Sequence, residues 1–179
     1  MNGIENTLIE GLKIIHLNRF SDNRGSFIKV FNYDFFKENN LDTNLNESYF
    51  SISHKNVIRG MHFQIPPFEH TKLVFINKGS ILDVVIDIRS KSATYKNFIQ
   101  MELSNKDPKL VYIPAGCAHG FLSLEDDTIV TYLQTSVYNN VNDCGIKYNS
   151  FGMDWGVEYP IISGRDDLFV ELKDFKSPF

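Results

Sequence analysis

Short apolar runs separated by turn residues recur along this chain, and within them apolar and polar positions alternate with a period of two. The runs are GSFIKVFN (25–32), SYFSIS (48–53), NVIRGMHF (56–63), KLVFINKG (72–79), SILDVVIDIR (80–89), NFIQMEL (97–103), KLVYIPAG (109–116), HGFLSLE (119–125) and TIVTYLQTS (128–136). Gly, Pro, Asn and Asp punctuate them, which predicts many short antiparallel strands packed as a sandwich or barrel. The best helical segment is YDFFKENN (33–40), with Phe35 and Phe36 apolar and asparagines closing it. Long helices do not alternate with the strands, so a doubly wound nucleotide-binding fold is excluded. No repeat, linker or low-complexity block divides the chain, so one domain over 1–179 is expected. The tail after Trp155 reads as loops with a short helix.

Alternation also assigns faces. In ILDVVIDIR, Leu82, Val84, Ile86 and Ile88 fall on one side, and Asp83, Val85, Asp87 and Arg89 on the other. In TIVTYLQT, Val130, Tyr132 and Gln134 share a side. A mixed face can line a ligand cavity in a small barrel, but sandwich strands commonly turn one face to water, and periodicity alone favours solvent for these.

Composition changes this picture little. The 179 residues are ordinary in hydrophobic and charged content, and a net charge of −4 argues against general binding to nucleic acid or to a membrane surface. The N-terminal MNGIENTLIEGLKII has acidic residues where a signal peptide would be apolar, and no run is long enough to span a bilayer. Cys117 and Cys144 make no disulfide framework, so reduced thiols in a cytoplasmic protein are expected.

Candidate chemistry sits in three stretches. NVIRGMHFQ places Arg59 and His62 in what otherwise reads as a buried strand, although an arginine is seldom buried without a partner. In an ideal strand the two point to opposite faces, and Gly60 is positioned to mark a bulge that re-aims one of them. IPAGCAHGF carries P-x-G-x-x-H, part of the cupin signature, ending in His119. His62, Glu69, His70 and His119 can be drawn as metal ligands, but the usual H-x-H companion is missing and IPP separates His62 from His70, so no metal is expected. Arg59, His62, Lys72 and Asp83 together offer a base, a cation for an enolate oxygen and a phosphate clamp. Taken singly, each is equally at home as a structural histidine, a surface lysine or a rim arginine.

FSDNRGSF, NVIRGMHFQ, KLVFINKGSILDVVIDIR, YIPAGCAHGF, TYLQTSVY and FGMDWG occur in the order in which the dTDP-4-dehydrorhamnose 3,5-epimerases carry them. The chain resembles that family from about Phe20 to Asp166. The resemblance implies an all-β cupin jelly-roll with a few short helices. It further implies a homodimer without cofactor or catalytic metal, acting on a nucleotide-diphosphate 4-keto sugar for surface-polysaccharide synthesis. Carried over by motif, His62 is the base and Asp166 its orienting partner, Tyr132 the opposing acid and Lys72 the enolate stabiliser. On its own, Asp166 would equally suit a helix cap. His119 and Asp83 shape the pocket, and Gln64 belongs to the same binding set. Arg59 and Arg24 hold the diphosphate, with Arg24 reaching in from the partner subunit, Tyr138 helps to sandwich the nucleotide, and Phe27 belongs to the substrate-binding set.

Three departures fall where the family grips its nucleotide. The usual RGFFxE is RGSFIK, so Lys29 replaces a carboxylate, and the usual QxN is aligned with Glu47 and Tyr49. The expectation is therefore a different nucleotide, GDP carrying a 4-keto heptose. The alternatives are a dTDP-4-dehydro-6-deoxyglucose 3,5-epimerase of rhamnose synthesis, a 3,4-ketoisomerase, or a sugar-binding cupin without catalysis.

Overall fold

The structure is a computed structural model that describes every residue except Asn2. Two antiparallel sheets face each other. The first contains β1 (Gly3–Asn6), β2 (Lys13–His16), β5 (Glu47–Ser53), β7 (Lys72–Lys78), β10 (Lys109–Ile113) and β12 (Thr128–Gln134), in the order β1-β2-β10-β7-β12-β5. The second contains β6 (Ile58–Gln64), β8 (Ser80–Asp87), β9 (Phe98–Ser104), β11 (Cys117–Ser123) and β13 (Asp143–Gly145), in the order β13-β6-β11-β8-β9. Strands β3 (Arg19–Asp22) and β4 (Gly25–Ile28) pair only with each other. Helix α1 (Tyr33–Glu38) and the single turn α2 (Gly164–Asp167) complete the set. This is the predicted all-β jelly-roll sandwich.

Period-two alternation sorts the apolar residues into three layers. Ile76, Val74, Ile81, Val85, Val111, Ile113 and Val130 meet between the sheets at one end of the sandwich. Leu73, Phe75, Leu110 and Tyr112 point out of the first sheet, where α1 covers them with Phe36. The Asn32 side chain caps α1 by accepting from Phe35 N at 2.9 Å, and the Phe36 ring packs on Phe31 at 4.8 Å. Val84, Ile86, Ile88, Ala118 and Leu122 point out of the second sheet, and the C-terminal tail folds over them with Met153, Trp155 and Leu172.

That third layer corrects the face assignment. The fully apolar side of β8 faces the tail, and the mixed side faces inward, with Asp83, Val85 and Asp87 fully buried. A tail that reads as loops supplies the cover that leaves the polar face nowhere to go but in.

Strand β6 contains the predicted bulge. His62 pairs with His119 and Arg59 with Phe121, so three steps along β6 are matched by two along β11. The extra residue restores Arg59 and His62 to the same face. Two glycines permit it. Gly60 has φ of +137°, and a Cβ there would lie 2.4 Å from the Gly120 Cα. A Cβ on Gly120 would lie 2.6 Å from Met61 Sδ and 2.8 Å from the Arg59 carbonyl. The substitution Gly120→Ala is expected to cost about 1–3 kcal/mol through overpacking, read as a lower urea midpoint, and to weaken ligand binding by displacing Arg59.

Candidate active site

At the end opposite the apolar core the sandwich opens into a cavity of about 470 Å³. Lys72 faces it because it shares parity with the inward Val74 and Ile76. Tyr132 and Gln134 follow Val130 on the same face of β12, as predicted, and Glu47, Tyr49 and Ser51 extend that wall along β5. The second sheet supplies Arg59, His62 and Gln64 from β6 and His119 and Phe121 from β11. The imidazole of His62 and the phenol of Tyr132 thus come from opposing sheets.

Behind this lining lies a set of carboxylates. Asp166 Oδ2 bonds His62 Nε2 at 2.9 Å and accepts the Gly60 N–H at 3.1 Å. Burial opposes its ionisation, but these bonds, with the nearby imidazole and Ser163, hold its carboxyl well below the usual range. The cap of α2 is Ser163, which accepts from Asp166 N at 3.1 Å, leaving the aspartate side chain free to reach His62. Burial in turn holds His62 below its ordinary value even against Asp166, so the imidazole is neutral and able to accept a proton. Asp83 Oδ1 bonds His119 Nε2 at 2.6 Å, fully buried. His62 and His119 each hold a carboxylate at Nε2, and His70 Nδ1 faces Gln64 and Ser136. Among the described residues no group of three or more His, Cys, Asp or Glu is arranged to hold a metal.

Lys72 is buried, with no ion pair within bonding distance among the described residues. Burial lowers its pKa to about 8, with Asp143 and Asp83 limiting the drop. A cation held in a dry wall without a fixed partner is suited to an oxyanion that appears only during reaction. Burial also pushes the Tyr132 phenol above the usual tyrosine range, so it is present as the acid. Arg59 is tethered by its Nε to Ser53 Oγ at 3.0 Å and by Nη2 to the Ile52 carbonyl at 3.2 Å. The buried Ser51 hydroxyl is also on the wall, beside the Tyr132 phenol.

Other expected binding residues hold the frame. Gln64 Nε2 donates to the Phe68 carbonyl at 2.9 Å, and its Oε1 accepts from Asn139 N at 2.6 Å, tying two loops to β6. Glu47 Oε2 accepts the Tyr138 N–H at 2.8 Å and so sets the loop that carries the half-exposed Tyr138 ring at the mouth. Arg24, Phe27 and Lys29 do not line this cavity. They lie on or just after the β3–β4 hairpin, which has no further sheet partner among the described residues, and Arg24 pairs with Asp22 at 2.6 Å in solvent.

Two charged lining residues were not found from sequence. Arg165 Nη2 lies 2.8 Å from His62 Nε2, while Nη1 reaches Asp143 Oδ2 at 2.6 Å and Nε reaches Asp166 Oδ1 at 3.1 Å. Asp143 sits on β13, beside β6. The only sequence signal for Arg165 is its adjacency to Asp166.

A neutral histidine backed by a buried carboxylate, an unpaired buried lysine and an opposing phenol in a cupin sandwich define a proton-transferring isomerase. The chain belongs to the dTDP-4-dehydrorhamnose 3,5-epimerase family, whose model matches residues 6–174, and it is accordingly a nucleotide-sugar epimerase. It is 37% identical over 170 residues to the dTDP-4-dehydrorhamnose 3,5-epimerase of Methanothermobacter thermautotrophicus, covering 94% of this chain and 89% of that one. The Bacillus anthracis dTDP-4-dehydrorhamnose 3,5-epimerase with TDP and PPi bound superposes with a TM-score of 0.91 at 31% identity, covering 95% of this chain and 99% of that one. The Legionella pneumophila dTDP-6-deoxy-D-glucose-3,5-epimerase in complex with dTDP-4-keto-L-rhamnose superposes with a TM-score of 0.91 at 31% identity, covering 97% and 94%.

Lys72 yields a paired prediction. Its folded pKa of about 8 lies below the ordinary 10.5, so the unfolded chain binds the proton more tightly. The cost of the buried charge is full below pH 8 and fades as pH rises from 8 to 10.5. Lys72→Met is expected to stabilise the fold at neutral pH by on the order of 1–3 kcal/mol in chemical denaturation, while lowering kcat by about a hundredfold or more. In the wild type, kcat/KM is expected to fall above about pH 8 as Lys72 loses its proton, and on the acid side to fall only below the ordinary histidine value.

Proposed function

We propose that this protein inverts C3 and C5 of a nucleotide-linked 4-keto-6-deoxy sugar, and that the substrate is dTDP-4-dehydro-6-deoxyglucose, on the route to rhamnose-containing surface polysaccharide. The observation that carries the reading is the projection of His62 and Tyr132 from opposing sheets into one cavity that also holds Lys72 without an ion-pair partner. His62 takes the proton from the carbon beside the ketone. The Asp166 bond occupies Nε2, so Nδ1 is the accepting nitrogen. The electron pair of the broken C–H bond moves to the C4 oxygen, where the Lys72 ammonium balances the charge. Tyr132 then delivers its proton to the opposite face of the same carbon, the carbonyl re-forms, and solvent restores both groups. Arg59 holds the diphosphate, and the Tyr138 ring lies against the base.

The expected GDP-linked heptose loses ground here. The relative and the two solved structures described above are named for dTDP sugars, and both of those structures hold thymidine diphosphate ligands. The alternative drawn from the sequence fits them better, despite Lys29, Glu47 and Tyr49.

The reading includes a homodimer of single-domain chains in the cytoplasm, where the free thiols of Cys117 and Cys144 suit reducing conditions. Support for the dimer comes from the hairpin, whose Phe20 and Phe27 are both about 60% exposed, and from edge strand β5, which exposes Phe50 and Ile52. A second copy would bring Arg24 and Phe27 to the cavity mouth.

Incubation with dTDP-4-dehydro-6-deoxyglucose in deuterated water, read by NMR, is expected to show inversion with deuterium at C3 and C5. In His62→Asn both should fall by about 10²–10⁴-fold. Migration of the carbonyl to C3 would make the enzyme a ketoisomerase, and no exchange at all would leave a binding protein. Calorimetry should find dTDP bound more tightly than GDP, and the opposite order would overturn the assigned nucleotide.

A further inference from the structure

We infer that Tyr49 is a positioning residue that fixes the plane of Tyr132 by stacking on it. The inference rests on the epimerase reading. Tyr49 and Tyr132 are direct cross-strand partners in the β5–β12 ladder. Their rings lie 4.7 Å apart between centroids and 22° from parallel. Tyr132 is buried, whereas Tyr49 keeps its outer side open to the cavity that it helps to line. The His119 ring approaches Tyr132 edge-on at 6.3 Å and 67°, and His119 is itself pinned by Asp83 at 2.6 Å. The acid is thereby held by two rings whose own positions are set by the two sheets.

A cross-strand aromatic pair contributes packing beyond the area it buries. More important here, a phenol turns about two soft torsions, and a small rotation sweeps its hydroxyl across the sugar face. Proton delivery requires the donor in line with the carbanion, and a misplacement on the order of 1 Å costs about a hundredfold. An amide at position 49, the family's usual choice, offers no flat surface for this task. The aromatic side chain therefore belongs to the acid's support as well as to the ligand wall. The stack needs the ring and not the hydroxyl, so phenylalanine should replace it and asparagine should not.

Exchange and inversion separate the two halves of the reaction. His62 alone can remove a proton and return a deuteron to the same face, giving exchange without inversion, whereas inversion requires Tyr132. In Tyr49→Asn the ratio of exchange to inversion is expected to rise about tenfold or more, while Tyr49→Phe stays near wild type. A substrate-independent readout accompanies it: nitration of Tyr132 by tetranitromethane, mapped by mass spectrometry, should accelerate in Tyr49→Asn and not in Tyr49→Phe. A ratio in Tyr49→Asn within about twofold of wild type, or Tyr132 nitration at the wild-type rate, overturns the inference. Absence of exchange in the wild type would instead overturn the epimerase reading, and the nitration rates would still judge the stack.

Discussion

Between Arg59 and His62 the β6 backbone uses three residues where its neighbour β11 uses two, and both side chains consequently emerge on the inner face. In regular strand geometry one of them would be driven into the layer of Met61, Phe63 and the tail. The bulge is possible because two glycines meet at backbone contact, Gly60 against Gly120. It also leaves the Gly60 N–H directed at Asp166, so the backbone irregularity that aims His62 also supplies a second bond to the carboxylate that orients it. The proposed base, its carboxylate partner and the arginine proposed for the diphosphate all depend on this one local feature.

A polar cavity inside a sandwich is costly, and its groups meet the cost in different ways. Asp166 is met by an imidazole and by backbone, and Asp83 by an imidazole at Oδ1. Lys72 is left without an ion pair, and its lowered pKa of about 8 records what that placement costs. The apolar layers on either side of the cavity, between the sheets and beneath the tail, offset it. Stability and the proposed catalytic role therefore pull against each other at Lys72.

Much of the strand pattern was legible in the sequence, because alternation survives wherever a strand has one covered face. The runs at 48–53, 72–79, 97–103 and 128–136 lie on observed strands, and 33–40 carries α1. Strands β1 and β2 are four residues each and β13 only three, too short to alternate visibly. The run 25–32 holds only β4, which ends at Ile28, because the residues after it turn toward the core under α1. The orientation of β8 was misjudged because a polar face reads as wet unless something covers the opposite side, and the covering tail has no periodic signal. Arg165 and Asp143 escaped notice for the same reason: the tail and β13 reach the cavity only through tertiary packing. His62 and Lys72 stood out by residue type, whereas Tyr132 and Asp166 were picked through the motif order, since nothing local distinguishes a cavity-lining tyrosine from a buried one.

The departures from the family pattern acquire a physical logic from where they fall. The groups proposed for the chemistry are carried by β6, β7, β12 and α2 of one chain, and the His62–Asp166 bond lies within that chain. Lys29 follows the β3–β4 hairpin, which in the proposed dimer reaches the mouth of another copy's cavity. Glu47 is engaged with the Tyr138 backbone and the Tyr49 ring with Tyr132, so neither is free to copy the amide contacts that it replaces. The substitutions thus alter the mouth and the support of the acid while leaving the dyad and the lysine untouched. A site divided in this way can drift in how it grips the nucleotide without losing its chemistry, because no bond within the dyad passes through the residues that changed.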